Sequence, residues 1–417
     1  MASHATVAAI VTVSDSPVLA DPAAGVAAST PATPQRASGT AAPDQGLSYN
    51  SDGGSVFHSG DFNVTAWGFA ERLIDFDGPE SWRRVRQGAE FDLPRCGSSG
   101  FRTAFVYEFG LVNFYFFRIT PFRRGSENLF VALQNANDPG KLRVLIGENT
   151  QILSRDDNLS SGNLPTINRS LLLEAHGSTN SFGTQFDIQV QRRLSDTITV
   201  QVTTQDGHGS LNTDEPRYTL GNGFAAKVIA TPKIGTGEAR KLSLGFAVDH
   251  TRNITDRRFV LGTAIALAPI GSVLATGDRF TVEGDAAYTV ALAGHPATIE
   301  AEVVRSTFSE SRTDVFGGYA MAQLSLFDSP QAGDLDLFVR YDFVSLGQDA
   351  IAGRARQQAL RTGLNYNLPF TGKLASVHLE FAHNTVRGPA AIVTDTRRPG
   401  DEIRIGLRVS LQRYLRH

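Results

Sequence analysis

Residues Asp401–Leu411 read DEIRIGLRVSL, with apolar and polar side chains alternating almost without error. Successive side chains of an extended strand point to opposite faces. Ile403, Ile405, Leu407, Val409 and Leu411 therefore share one face, and Arg404, Gly406, Arg408 and Ser410 share the other. One face is aliphatic and the other carries two permanent charges, so the strand separates an apolar medium from water. A soluble sheet packed on one side does this, and so does the wall of a membrane barrel.

The same alternation recurs upstream. Phe186, Ile188 and Val190 alternate with Gln185, Asp187, Gln189 and Gln191. Across the turn Leu194-Ser195-Asp196, Ile198, Val200 and Val202 alternate with threonines and Gln201, which predicts an antiparallel hairpin. Leu242–Asp249, Leu335–Phe343, Leu360–Leu368 and Val377–Ala382 repeat the pattern. About sixteen such segments fit between Asp61 and His417, punctuated by Gly, Asp, Asn and Pro, and no convincing four-turn helix interrupts them.

Composition narrows the choice. The net charge is −3 and the arginines are scattered, which gives no support for a nucleic-acid partner. Cys96 is the only cysteine, so neither an intrachain disulfide framework nor a cysteine-based zinc cluster is available. No stretch of about 18 apolar residues exists, which excludes a helical membrane protein but not a barrel, whose strands need only ~9–11 alternating residues. Residues 1–60 are rich in Ala, Ser, Thr, Pro and Gly and are expected to be disordered or processed, with Val18-Leu19-Ala20 as a possible cleavage remnant. Residues 61–417 form the second unit.

Strands with one apolar face must bury that face somewhere. The opposite faces here hold small residues, amides and charges of both signs. That suits a water-filled lumen better than the lysine-rich exterior of a soluble sandwich. The pattern favours an all-β transmembrane antiparallel barrel, with a soluble or surface-attached β-rich binding protein as the competing class.

Several stretches resemble the phosphate-selective porin O and P family of bacterial outer membranes. They are Trp82–Glu90 (WRRVRQGAE), Asn158–Ser161 (NLSS) with Asn168–Leu171 (NRSL) after Gly147, Val282–Tyr288 (VEGDAAY) with Ile299–Ser306 (IEAEVVRS), Leu335–Asp342 (LDLFVRYD) and Gly363–Asn367 (GLNYN). The resemblance implies a sixteen-stranded barrel with inward-folding loops, a homotrimer in outer-membrane lipid, and passage of small anions, phosphate or polyphosphate among them. By that likeness Arg83 and Arg84 match paired pore-lining arginines, and Arg169 matches an arginine at the constriction. The chain also departs from the family: Gly162 stands where a phosphate-selective member carries lysine, and Gly68 near an expected arginine.

Strand phase independently places Arg340, Arg361, Arg404 and Arg408 inward, together with Asp187, Asp249, Glu300, Glu302, Asp336 and Asp342. Guanidinium groups in a narrow lumen replace part of an anion's hydration with charge-assisted hydrogen bonds. A wall of mixed sign suits zwitterions or sugars as readily. No HExxH pair and no G-x-S-x-G elbow occurs, and no cofactor or metal is implied. Asp156-Asp157-Asn158 lacks the glycine and distal glutamate of a calcium loop and reads as a solvated or capping loop. An enzyme is not expected.

Overall fold

A computed structural model describes residues 45–49, 55–59, 62–75, 81–93, 100–112, 126–135, 137–138, 140–150, 152–158, 164–167, 169–175, 184–205, 221–234, 240–261, 271–329, 332–369, 375–393 and 400–410. The strands are β1 (Gln45–Tyr49), β2 (Ser55–Ser59), β3 (Phe62–Asp75), β4 (Ser81–Asp92), β5 (Phe101–Val112), β6 (Ser126–Asn135), β7 (Leu142–Thr150), β8 (Thr184–Ser195) and β9 (Ile198–Gln205). There follow β10 (Gly223–Ala230), β11 (Lys241–Leu261), β12 (Gly271–Leu292), β13 (His295–Phe308), β14 (Thr313–Ser329), β15 (Gly333–Gln348), β16 (Ile351–Asn367), β17 (Ala375–Arg387) and β18 (Asp401–Ser410). Two short helices, α1 (Arg155–Asn158) and α2 (Leu171–Ala175), lie in the connection between β7 and β8.

From β3 to β18 every strand pairs antiparallel with the next in sequence. β18 then returns to β3, with Arg404 opposite Asp75 and Ser410 opposite Phe69. Sixteen strands thus close on themselves, which leaves no open edge in the ring. The predicted hairpin is present, β8 pairing with β9 across the short turn. Within the segment set apart as 1–60, β1 and β2 pair with each other, and β2 pairs with Phe62–Ala66 of β3, beyond the stretch that β18 covers.

Burial is inverted relative to a soluble fold. Phe224, Phe246, Phe280, Val303, Val339, Leu360, Phe381, Ile403 and Leu407 are exposed, while Arg340, Arg361, Arg404, Glu283, Glu302 and Asp342 are buried. In β12 the burial alternates residue by residue, with Arg279, Thr281, Glu283 and Asp285 inside. A broad apolar band on the exterior around a charged interior is stable only in a hydrocarbon solvent, so the ring is a transmembrane barrel. Tyr319 is buried inside the barrel, because its phase in β14 is that of inward Thr313, Val315 and Met321.

The longest connections, 113–125, 151–183, 206–222 and 388–400, all leave from one end of the ring, which marks the extracellular mouth. The lumen at that mouth is dry on one side. Phe259 and Leu261 at the end of β11, Val273 at the start of β12, Phe308, Val315, Leu346 and Val386 enclose Leu171–Leu173 of α2 and Ile392-Val393. Phe259 meets Phe308 edge-on at 5.4 Å. Ser272 N–H donates to the Ile392 carbonyl at 3.1 Å, and Gly271 opposite Val393 permits this approach because a Cβ there would collide with the Ile392 carbonyl oxygen. The described residues of the 151–183 connection are therefore covered by apolar packing above and, as described next, held by charge below.

Candidate permeation pathway

The described parts of the inward loop, residues 152–158, 164–167 and 169–175, run along the inner wall formed by β11 to β18. Wall carboxylates take its backbone amides. Ser154 N–H donates to Glu283 Oε2, Asp156 N–H to Glu302 Oε2 and Ile167 N–H to Glu380 Oε2, each at 2.9 Å. Wall arginines and an asparagine take its carbonyls: Arg361 Nη1 donates to Arg169 O at 3.0 Å, Asn365 Nδ2 to Pro165 O at 2.7 Å and Arg408 Nη1 to Leu164 O at 3.4 Å. A non-helical segment at membrane depth needs such partners for its backbone, and the alternating inward phase of the strands supplies both signs.

Asp156 is the hub. Its carboxylate accepts from Ser170 N–H at 2.6 Å and from Arg340 Nη1 at 3.2 Å, and Arg169 Nη1 donates to its carbonyl. Arg340 also donates to Asp342 at 2.9 Å and lies 3.9 Å over the Tyr319 ring, whose hydroxyl donates to Glu300 at 3.3 Å. Arg155 completes the group with Glu300 at 3.2 Å. The Asp156-Asp157-Asn158 loop thus places Asp156 in a fully buried ion pair rather than in solvent, because Arg340 and the Ser170 amide meet it there.

Burial by itself pushes the Asp156 carboxyl upward, but Arg340 and Arg169 outweigh it and hold the group below the ordinary 3.8. A depressed carboxylate stabilises docking above its unfolded pKa, and that contribution disappears as pH falls through the folded value. The difference in conductance between wild type and D156N is therefore expected to stay constant from about pH 7 to 5 and to shrink only below about pH 4. Bilayer recordings at stepped pH test this, and a difference that vanishes already near neutrality rules the anchor out.

The remaining wall arginines are paired as well. Arg361 reaches Asp342 at 3.3 Å, Arg404 reaches Glu380 at 3.5 Å and also Glu402, and Arg408 reaches Glu71 at 3.4 Å. The structure brings Arg169, Arg340, Arg361, Arg404 and Arg408 to one side of the lumen around the loop. Arg83 and Arg84 lie in β4, where Arg84 is in register with Glu71 and Val112; their side chains fall outside the described residues. Further charged groups are Lys227 with Glu283 at 2.8 Å and Asp285 at 3.0 Å, Arg279 with Asp249 at 2.8 Å, and Arg102 with Asp92 at 2.8 Å. Strand phase identifies Glu283, Asp285 and Lys227 once β10 and β12 are aligned. No local motif marks them.

Across the lumen the wall is amide-rich. Asn149 donates to Gln189 at 2.7 Å, Gln201 to Gln191 at 3.2 Å and Thr203 to Asp187 at 3.1 Å, linking β7, β8 and β9. No protein-family model matches the sequence, and no curated protein matches it either. Solved structures do. OmpF of Salmonella typhi, in complex with daunomycin, is 11% identical over 87% of this chain and 99% of its own, with a TM-score of 0.55. OmpT of Vibrio cholerae in its trimer form is 11% identical over 84% and 99%, with a TM-score of 0.53. The outer membrane channel DcaP of Acinetobacter baumannii is 14% identical over 84% and 97%, with a TM-score of 0.51. The fold is that of outer-membrane porins. In this porin barrel the inward loop leaves from the fifth strand of the closed ring and crosses the lumen against the later strands, so the wall opposite is the side left without described loop anchors.

Proposed function

We propose that the chain is an outer-membrane diffusion pore for small hydrophilic solutes, small anions among them, which pass between the 152–175 loop and the amide-bearing wall of β7 to β9. One observation carries this reading: the loop's described hydrogen bonds to the wall fall on β12, β13 and β15 to β18, and its helix α2 packs on β11 and β14 to β16. Arginines 340, 361, 404 and 408 act on a permeating anion chiefly through the loop they hold. Arg83, Arg84 and Arg169 are the proposed direct contributors to anion passage, phosphate included. The trimer form of a similar structure supports a homotrimer.

A second reading, a general or carbohydrate-preferring pore, is favoured by the balanced pairing of Lys227, Arg279, Arg340, Arg361 and Arg404 with wall carboxylates. Such a girdle has a transverse field and little net charge, which orients dipoles without sorting ions strongly. Planar-bilayer reversal potentials in a KCl gradient decide between the two. Anion passage through Arg83, Arg84 and Arg169 predicts a displacement toward the chloride potential that is reduced in R83Q/R84Q and in R169Q. A potential near zero that the variants leave unmoved supports the general pore, and the absence of stepwise conductance refutes both.

A further inference from the structure

The outer face of the barrel carries a charged groove that diffusion does not explain. Near the extracellular mouth, where β13 to β16 rise above the apolar band, Arg305, Asp314, Phe316, Phe343, Arg354 and Arg356 line a cavity of about 460 Å³. Among the described residues lining it, Asp314 is the one acid and is already shared: Arg305 Nε meets it at 3.0 Å and Arg354 Nη1 at 2.7 Å. Arg354 is further fixed by Ser345 Oγ at 2.9 Å.

Arg356 has no ion pair among the described residues, and its cross-strand neighbour on β17 is Arg387, also exposed and also without one. Like charges directly opposite on one face of a sheet repel, and at the edge of a hydrocarbon layer water screens them poorly. Among the described residues, four guanidinium groups against one carboxylate leave this patch short of negative charge. Directly toward the bilayer centre the surface turns aromatic and aliphatic. Phe316 and Phe343 lie 5.3 Å apart, Tyr341 stacks on Phe343 at 6.3 Å, and Leu360 and Phe381 are exposed beside them.

We propose that this groove binds a phosphate-bearing, acylated lipid of the outer leaflet, with Arg356 and Arg387 clamping the phosphate and the aromatic surface taking an acyl chain. The chemistry selects an amphiphile. A free anion gains nothing from the rings below, and an uncharged lipid leaves the arginine pair uncompensated. The proposal rests on the membrane-barrel reading but not on what the pore conducts, and single-channel conductance serves as the control that separates the two.

The full-length protein in mild detergent is titrated with lipid A bearing its phosphates and with the dephosphorylated lipid, and bound lipid is counted by native mass spectrometry. Wild type is expected to retain the phosphorylated form about tenfold or more tightly, and R356Q/R387Q to lose that preference while its conductance stays unchanged. Millimolar inorganic phosphate leaves the bound lipid in place. Equal retention of both lipids by wild type overturns the proposal whether or not the variant folds. Displacement by inorganic phosphate overturns it in favour of a free-anion site. A variant that keeps the lipid preference but changes oligomeric state overturns it in favour of contact with a second copy.

Discussion

Replacing Arg340 by alanine is expected to loosen the inward loop and raise single-channel conductance. Arg340 is fully buried and is the wall's link to the Asp156 carboxylate; its removal leaves that charge to the half-buried Arg169 and to the Ser170 amide. Breaking a buried pair by deleting one partner costs about 3–5 kcal/mol, because the survivor stays desolvated. If the loop answers by undocking, its docked-to-released ratio falls by about two to four powers of ten. The anchors through Glu283, Glu302 and Glu380 remain, so the expected record is larger, noisier openings rather than a clean hole. R340K keeps the charge but loses the forked geometry that serves Asp156 and Asp342 together, and should fall between. Unchanged conductance from a folded R340A barrel would show that the loop does not narrow the path.

One residue away the expectation reverses. Val339 is 46% exposed on the outer face, with Ala322 and Thr362 as its cross-strand partners. V339R is expected to destabilise the barrel in bilayers by about 2–4 kcal/mol if the position lies at mid-membrane, less near an interface. A lowered urea midpoint for unfolding from vesicles, together with less inserted protein, would be the result. No shift would mean that β15 presents this face to protein or water rather than lipid. The contrast with Arg340 isolates the physical variable, since the same side chain is required at one position and rejected at the next.

The fold was legible because strand period is a local property. Ile403, Leu407, Arg404 and Arg408 declare their faces within a few residues, and the inverted burial follows from them. The strand number and the inward loop agree with what alternation and the family resemblance imply. The charge network was half legible. Phase placed Arg340, Arg361, Arg404 and Arg408 inward, but the roles they take depend on Asp156 and on carbonyls of Leu164 and Arg169, which lie 184 to 244 residues away in sequence. Tyr319 shows the same limit. Nothing in its own strand marks it, and only the register of β14 against β15 makes it a platform for Arg340. The dry layer at the mouth had no local signal, because Leu171–Leu173 read as apolar in any setting.

The seam between the first and last strands of the ring bears on how the molecule comes into being. Glu71 and Arg408 meet at 3.4 Å across 337 positions of sequence, and until β18 arrives the outer edge of β3 offers seven residues of backbone, Phe69 to Asp75, with nothing to pair. Contacts of that span are the slowest to form. No intermediate with fewer strands can satisfy its own edges, so every partial barrel is an adhesive sheet. Closure is therefore the committing step, the moment at which β18 comes to protect the edge of β3.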